Sequence, residues 1–311
     1  MNGLLNVSSN PHTRSKVTSS SLMFTVIVSL LPAAGYGVFK FGLNALLLIG
    51  VTVFSAVMAE LLFDLITRRK ITIGDFSAMV TGLLLALNLP PAAPWWIGVV
   101  GAFFAIVVVK MLFGGLGQNF MNPALGARCF LVISFASIMT NFSVDGVSEP
   151  TPLALLRLGE RPDLVEMVKG NTPGTIGETS VIALLIGAAI LIIFGVIDLI
   201  IPGMYILTFL LCMGFFGGHG FDLYFLAAHF SGGGLLLGAF FMATDYVTRP
   251  ITKLGQFVYG IILGILTAIF RIIGPSGEGV SFSIIISNLL VPLIDKATAP
   301  RFFGKGGTRN E

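Results

Sequence analysis

The 18 Lys and Arg and 15 Asp and Glu of this 311-residue chain are gathered into a few short stretches, with long apolar runs between them. Soluble domains carry roughly 25% charged residues; here the share is 11% and the mean hydropathy is +0.95. That pattern excludes a soluble globular fold and describes a polytopic membrane protein. A helix needs about 20 apolar residues to cross roughly 30 Å of hydrocarbon, and ten segments meet or approach that length. They are residues 22–39, 43–66, 76–89, 95–113 and 121–139 in the first half, and 179–201, 204–216, 232–246, 254–273 and 280–294 in the second. The third and eighth are short.

The two halves share a plan. A displacement of about 160 residues brings Leu22 onto Ile182, Leu43 near Gly203, Pro90 onto Pro250 and Trp95 onto Gly255, and lays the glycine-rich break 114–117 on 274–277. An odd number of spans per repeat makes the halves enter the bilayer from opposite sides, as in many transport folds. The short, Pro-interrupted stretches 83–91 and 235–250 then read as discontinuous helices meeting near the centre. The expected fold is all-α, with ten transmembrane helices as two inverted five-helix repeats containing short broken helices. The chain divides into an N-terminal arm (1–21), a first repeat (22–139), a connecting loop (140–178), a second repeat (179–294) and a C-terminal tail (295–311).

Basic residues orient such a chain, because cytoplasmic loops hold the excess of Lys and Arg. With ten spans, one side holds both termini and Arg14, Lys16, Arg68, Arg69, Lys70, Arg249, Lys253, Lys296, Arg301, Lys305 and Arg309. The other holds Lys40, Arg157, Arg161 and Lys169. Both termini are therefore expected in the cytoplasm and the 140–178 loop outside. The net charge of +3 thus sets orientation and does not mark a nucleic-acid binder. The first twenty residues lack an apolar core with a small-residue cleavage site and read as a retained polar arm. Cys129 and Cys212 stand alone in apolar runs, and His219 and His229 have no third ligand at metal spacing; no metal site is expected. Trp95 and Trp96, after Pro94, suit an interfacial anchor among membrane lipid.

Four motifs are more specific than hydropathy: Asp145-Gly146-Val147-Ser148-Glu149-Pro150-Thr151-Pro152-Leu153; Gly117-Gln118-Asn119-Phe120-Met121-Asn122-Pro123-Ala124-Leu125-Gly126-Ala127-Arg128; Gly177-Glu178-Thr179-Ser180; and Gly238-Ala239-Phe240-Phe241-Met242-Ala243-Thr244-Asp245. Through them, essentially the whole chain resembles the NqrB/RnfD family. Its members are the D subunits of Rnf-type ion-translocating ferredoxin:NAD oxidoreductases and the similar B subunits of sodium-pumping NADH:quinone oxidoreductases.

The resemblance implies FMN attached through its phosphate, as a phosphoester, to a threonine in an Asp-x-x-Ser-x-Ala-Thr-like motif, by a separate flavin transferase. Thr151 matches that threonine, with Asp145 and Ser148 at the motif's flanks; Glu149 and Pro150 stand where Gly-Ala is usual. Read locally, Ser148, Thr151 and Pro152 equally suit the start of a short surface helix, since Ser and Thr favour caps and Pro the first turn. The resemblance further implies a second, non-covalent flavin (riboflavin or FMN), for which Asn119, Asn122 and Asp245 are the candidates. Asn122 before Pro123 is also a ready helix cap, and Asp245 is also placed to pair locally with Arg249.

Ionisable groups inside spans mark function by default. Glu60 and Asp64, four residues apart, share a helix face and are the candidates for an ion path. Arg128 and Lys110 are their available internal partners, and Arg271 is expected to snorkel outward. By resemblance the chain serves in a bacterial cytoplasmic (inner) membrane complex coupling ferredoxin oxidation and NAD reduction to sodium or proton translocation. The implied partners are a second membrane flavoprotein, two small membrane subunits, and cytoplasmic subunits handling ferredoxin and NAD. The inverted plan alone is equally that of a self-contained channel or secondary transporter, and a scaffold for redox partners is a third reading.

Overall fold

Thr18 starts the first helix by reciprocal capping: its hydroxyl accepts from Ser21 N at 3.2 Å, and Ser21 Oγ accepts from Thr18 N at 3.1 Å. This is the beginning of the described structure, a computed structural model covering residues 17–142, 150–274 and 279–300. Helix α1, Ser19–Phe41, turns at Gly42, in the left-handed region at φ +70°, directly into α2, Leu43–Thr67. Arg68 ends α2 in the left-handed conformation, and a 3-10 turn leads to α3, Ser77–Leu87. Next come α4, Trp95–Phe103, continued by π turns over Phe104–Met111, then α5, Pro123–Ser134, and α6, Ala136–Met139.

The connecting loop carries two short helices, α7 (Pro152–Arg157) and α8 (Leu164–Lys169). Beyond it lie α9 (Val181–Ile193), α10 (Ile200–Phe216), α11 (Leu223–Ser231), α12 (Leu235–Leu237, continued by π turns over Gly238–Met242), α13 (Lys253–Ile273) and α14 (Val280–Thr298). The described residues contain helices and no strand.

Among the described residues four helices, α1, α2, α13 and α14, are long and apolar enough to cross a membrane. The bent pair Leu223–Ser231 and Leu235–Met242, broken by 63°, makes up to five; α3, the α4 rod, α5, α9 and α10 are shorter apolar helices. Phe39, Ile66, Ile133, Ile193, Leu223, Ile251 and Ile273 are each more than 70% exposed. Outward apolar side chains on this scale suit a lipid surround, and the whole is compatible with a multi-pass membrane protein.

Several boundaries differ from the expected spans. The expected 232–246 segment begins too late: the apolar rod starts at Leu223, where Asp222 caps α11 by accepting from Tyr224 N at 3.0 Å, and bends at Gly232–Gly234. The expected 179–201 span ends at Ile193 because the chain turns at Gly195, φ +65°, and α10 then starts at Ile200, ahead of residue 204. The 121–139 segment divides at Phe135 between α5 and α6.

Glycines set the tightest helix contacts. Gly260 and Gly264 form a small-xxx-small face on α13; a Cβ at Gly264 would lie 2.8 Å from Phe209 N and 2.9 Å from Tyr205 O of α10. Such faces let helix backbones approach where lipid removes the usual hydrophobic drive. In the first half α2 and α4 meet similarly, with Gly98 against the Thr52 side chain. Between the halves α1 packs on α9 and α5 on α14. Lys40 Nζ, at the α1–α2 corner, donates to the Gly170 and Thr172 carbonyls, each at 2.5 Å, and ties the connecting loop down.

Candidate functional site

Two cavities flank the broken rod of α12. The first, of about 400 Å³, is lined by Thr151, Pro152, Leu153, Met167, Thr172–Gly174, Glu178, Thr179 and Ser231–Gly233. Thr151 is half-buried and is the N-cap of α7: its hydroxyl oxygen accepts from Ala154 N at 3.4 Å, and Pro152 takes the first helical position. Thr151 and Pro152 thus start a short helix as the local reading expects, with Pro152 and Leu153 buried, and the hydroxyl is left at the cavity wall. Asp145 and Ser148 lie outside the described residues.

Helix α7 is clamped on the membrane body. Leu153, 4% exposed, sits on the glycine turn, where a Cβ at Gly233 would come within 2.3 Å of its Cδ1. Arg157 donates to the Arg271 carbonyl at 2.9 Å, at the end of α13. Arg271 does not snorkel. It is 3% exposed, its guanidinium donates to the carbonyls of His229, Gly232 and Gly233 at 2.5–3.1 Å, and it lies 4.9 Å from the Phe209 ring centroid. Those carbonyls belong to the break, where the helical ladder leaves acceptors unsatisfied; a buried cation there meets a need that outranks reaching water.

The second cavity, of about 700 Å³, is mostly apolar and lies between the halves. The structure brings all three expected residues, Asn119, Asn122 and Asp245, to its wall, with Ser77, Thr81, Lys110, Phe241, Thr244 and Tyr246. Asn119 Nδ2 donates to the Met121 carbonyl at 3.0 Å. Asn122 caps α5, accepting from Ala124 N at 3.0 Å, while its Nδ2 donates to the Met242 carbonyl at 3.4 Å. Cap and cavity-wall roles coincide. Asp245 is held by Val247 N and the Thr248 hydroxyl at 3.4 and 3.1 Å, while Arg249 stacks over Tyr246 at 4.4 Å; the expected local pair with Arg249 does not form.

Beside this cavity lies a buried polar chain. Lys110 Nζ donates to both Glu60 oxygens at 3.1 and 3.0 Å and to Ser77 Oγ at 2.5 Å. Thr72 Oγ1 contacts Glu60 at 2.6 Å and Asp64 Oδ2 at 3.0 Å, and Asp64 Oδ1 is buried without a hydrogen-bond partner. The shared face of Glu60 and Asp64 is real, and the chain runs from the exposed α2–α3 connection to the cavity wall. Arg128 pairs with Glu178 at 3.2 Å, a carboxylate that sequence reasoning left without a role although it stands in the Gly177–Ser180 motif.

Comparison with known proteins places these residues in a family. The NQR2, RnfD, RnfE family matches residues 6–304. The chain is 46% identical over 309 residues, 96% of its length and 95% of the relative's, to the D subunit of the Na(+)-translocating ferredoxin:NAD(+) oxidoreductase complex of Acetobacterium woodii. It is 40% identical over 319 residues, 97% and 96% of the two chains, to the D subunit of the proton-translocating ferredoxin:NAD(+) oxidoreductase complex of Clostridium ljungdahlii. With the D subunit of the ion-translocating oxidoreductase complex of Salmonella paratyphi A it shares 32% over 346 residues, 96% and 98% of the two chains. The chain belongs to the NQR2, RnfD, RnfE family.

Proposed function

We propose that this chain is a membrane electron-transfer subunit carrying FMN as a phosphoester on Thr151, within a complex that couples ferredoxin oxidation and NAD reduction to sodium or proton translocation. The observation that carries the reading is the placement of two cavities along one broken rod, one at its break and the other at its C-terminal end. Thr151 borders one with Ser231–Gly233, and Asn119, Asn122 and Asp245 border the other with Phe241, Thr244, Tyr246 and Val247. The names of the three relatives support membership of such a complex.

The residues present fit the group. The Thr151 hydroxyl stands at the wall of a partly open cavity with polar lining, and α7 beneath it is fixed by Leu153 and Arg157. Bound FMN supplies one- and two-electron chemistry in its ring system, and the protein supplies placement and electrostatics. Thr172, Glu178, Thr179 and Ser231 offer polar edges to that ring. At the other cavity the amides of Asn119 and Asn122 and the carboxylate of Asp245 suit the donor and acceptor edge of a non-covalent flavin. Asp64 is the better ion-path residue of the pair, since Lys110 already balances Glu60 and Asp64 Oδ1 has an acceptor to spare.

The expected setting is the bacterial inner membrane, with both termini cytoplasmic, the Thr151 loop outside, and ten spans in two inverted repeats. The like-for-like packing of α1 on α9 and α5 on α14 supports that plan. The partners are a flavin transferase, a second membrane flavoprotein, small membrane subunits, and cytoplasmic subunits handling ferredoxin and NAD. The same packing favours a second reading, a self-contained transporter. Membrane vesicles bearing the complex separate the two: Thr151→Ala is expected to abolish ferredoxin-dependent NAD reduction together with ion uptake. Full ion transport in Thr151→Ala vesicles supports the transporter.

A further inference from the structure

Buried charges stand behind the Thr151 cavity. Glu178 lines it, its side chain only 6% exposed, and accepts from Arg128 Nη1 at 3.2 Å. The same nitrogen donates to Asn88 Oδ1 at 2.8 Å and Ser281 Oγ at 3.0 Å. One guanidinium thus gathers the end of α3, α5, α14 and the strip before α9. The glycine turn leaves no side chain to hold charge away from the cavity. A Cβ at Gly234 would come within 2.4 Å of Glu178 Oε1, and one at Gly233 within 3.0 Å of Arg271 Nη2. Burying two ions is unfavourable even when they are paired, and an apolar pair of similar volume often stabilises a protein more. Packing alone therefore gives no reason for Arg128 and Glu178; a neighbouring group whose charge changes does.

We propose that Arg128 and Glu178 are opposed positioning charges that set the electron affinity of the Thr151-bound flavin, Arg128 raising it and Glu178 lowering it. The proposal rests on flavin attachment at Thr151. Each electron taken up there adds one negative charge until a proton follows from solvent. In the poorly screened interior Arg128 favours that added charge and Glu178 opposes it. Arginine stays protonated at any working pH. Glu178→Gln therefore removes one negative charge from beside the cavity with side-chain shape unchanged, and Arg128 keeps Asn88 and Ser281.

The test is a potentiometric titration of the full chain in its complex, produced with its flavin transferase, reading the flavin absorbance that Thr151→Ala lacks. Glu178→Gln is expected to raise the midpoint, favouring reduction about tenfold, which is about 30 mV for a two-electron couple. The double variant Arg128→Gln/Glu178→Gln removes both charges and is expected to bring the midpoint back towards that of the unsubstituted chain, a reversal that loosened packing does not produce. An unchanged or lowered midpoint in Glu178→Gln, with covalent flavin present by mass, overturns the proposal whether or not the double variant folds. Absence of covalent flavin from the unsubstituted chain overturns attachment at Thr151 and this proposal with it.

Discussion

Lys110 is 2% exposed and shares its ammonium between Glu60 and Ser77. Removing one member of a buried ion pair leaves the other uncompensated, at about 3–5 kcal/mol, whereas replacing both with apolar groups is often neutral. Lys110→Met is therefore expected to lower the melting temperature of the detergent-solubilised protein sharply, and Lys110→Met/Glu60→Met to recover most of the loss. Equal melting of the two variants contradicts the pairing. The carboxylates were legible in the sequence because Glu60 and Asp64 follow ordinary helix spacing. Of the two internal partners the sequence offered, Lys110 and Arg128, the structure pairs Lys110 with Glu60; the choice was not legible, because Lys110 sits on the π turns of Phe104–Met111, where the wider turn breaks the 3.6-residue register that assigns faces. Arg128, the other expected partner, pairs instead with Glu178, 50 residues along the chain, a contact that helix spacing cannot reveal.

At the scale of elements, the α10–α13 contact depends on Gly264, where a Cβ would stand 2.7–2.9 Å from Thr208, Phe209 and Tyr205 atoms. Gly264→Ala is expected to part these helices and lower thermal stability by a measurable several degrees. Gly50→Ala in α2, with nothing within 4 Å of its would-be Cβ, is expected to be neutral or slightly stabilising. Similar losses from both would show that close approach at Gly264 carries no special weight. Hydropathy made α1, α2, α13 and α14 plain, because each is a single long apolar run. It missed α11, whose run is interrupted by His229 and the Gly232–Gly234 turn, and it sent Arg271 outward. Both errors share one cause: a broken helix exposes backbone carbonyls inside the body, and only the fold reveals that a cation has come to meet them.

Over the whole molecule, the expected repeat rests on spacing more than on identity, and the topology it implies can be tested by labelling from the two sides of the membrane. With the positive-inside orientation, Lys70→Cys is expected to react with an impermeant thiol reagent only from the cytoplasmic side, and Glu160→Cys only from the outer side. Labelling of both from one side contradicts an odd number of spans between residues 70 and 160. The two cavities are also expected to act separately. Thr81→Phe, which fills the larger one, should release extractable flavin while leaving the covalent flavin in place, and parallel loss of both contradicts a two-site arrangement.

The central claim, that this is a redox subunit charged with flavin at one threonine, is tested most directly by intact mass. The chain, purified after coexpression with its flavin transferase, is expected to carry the mass of FMN less one water, and Thr151→Ala to lack that increment. Unmodified chains in both preparations, with a transferase that works on another substrate, would contradict the account; so would an increment that survives in Thr151→Ala.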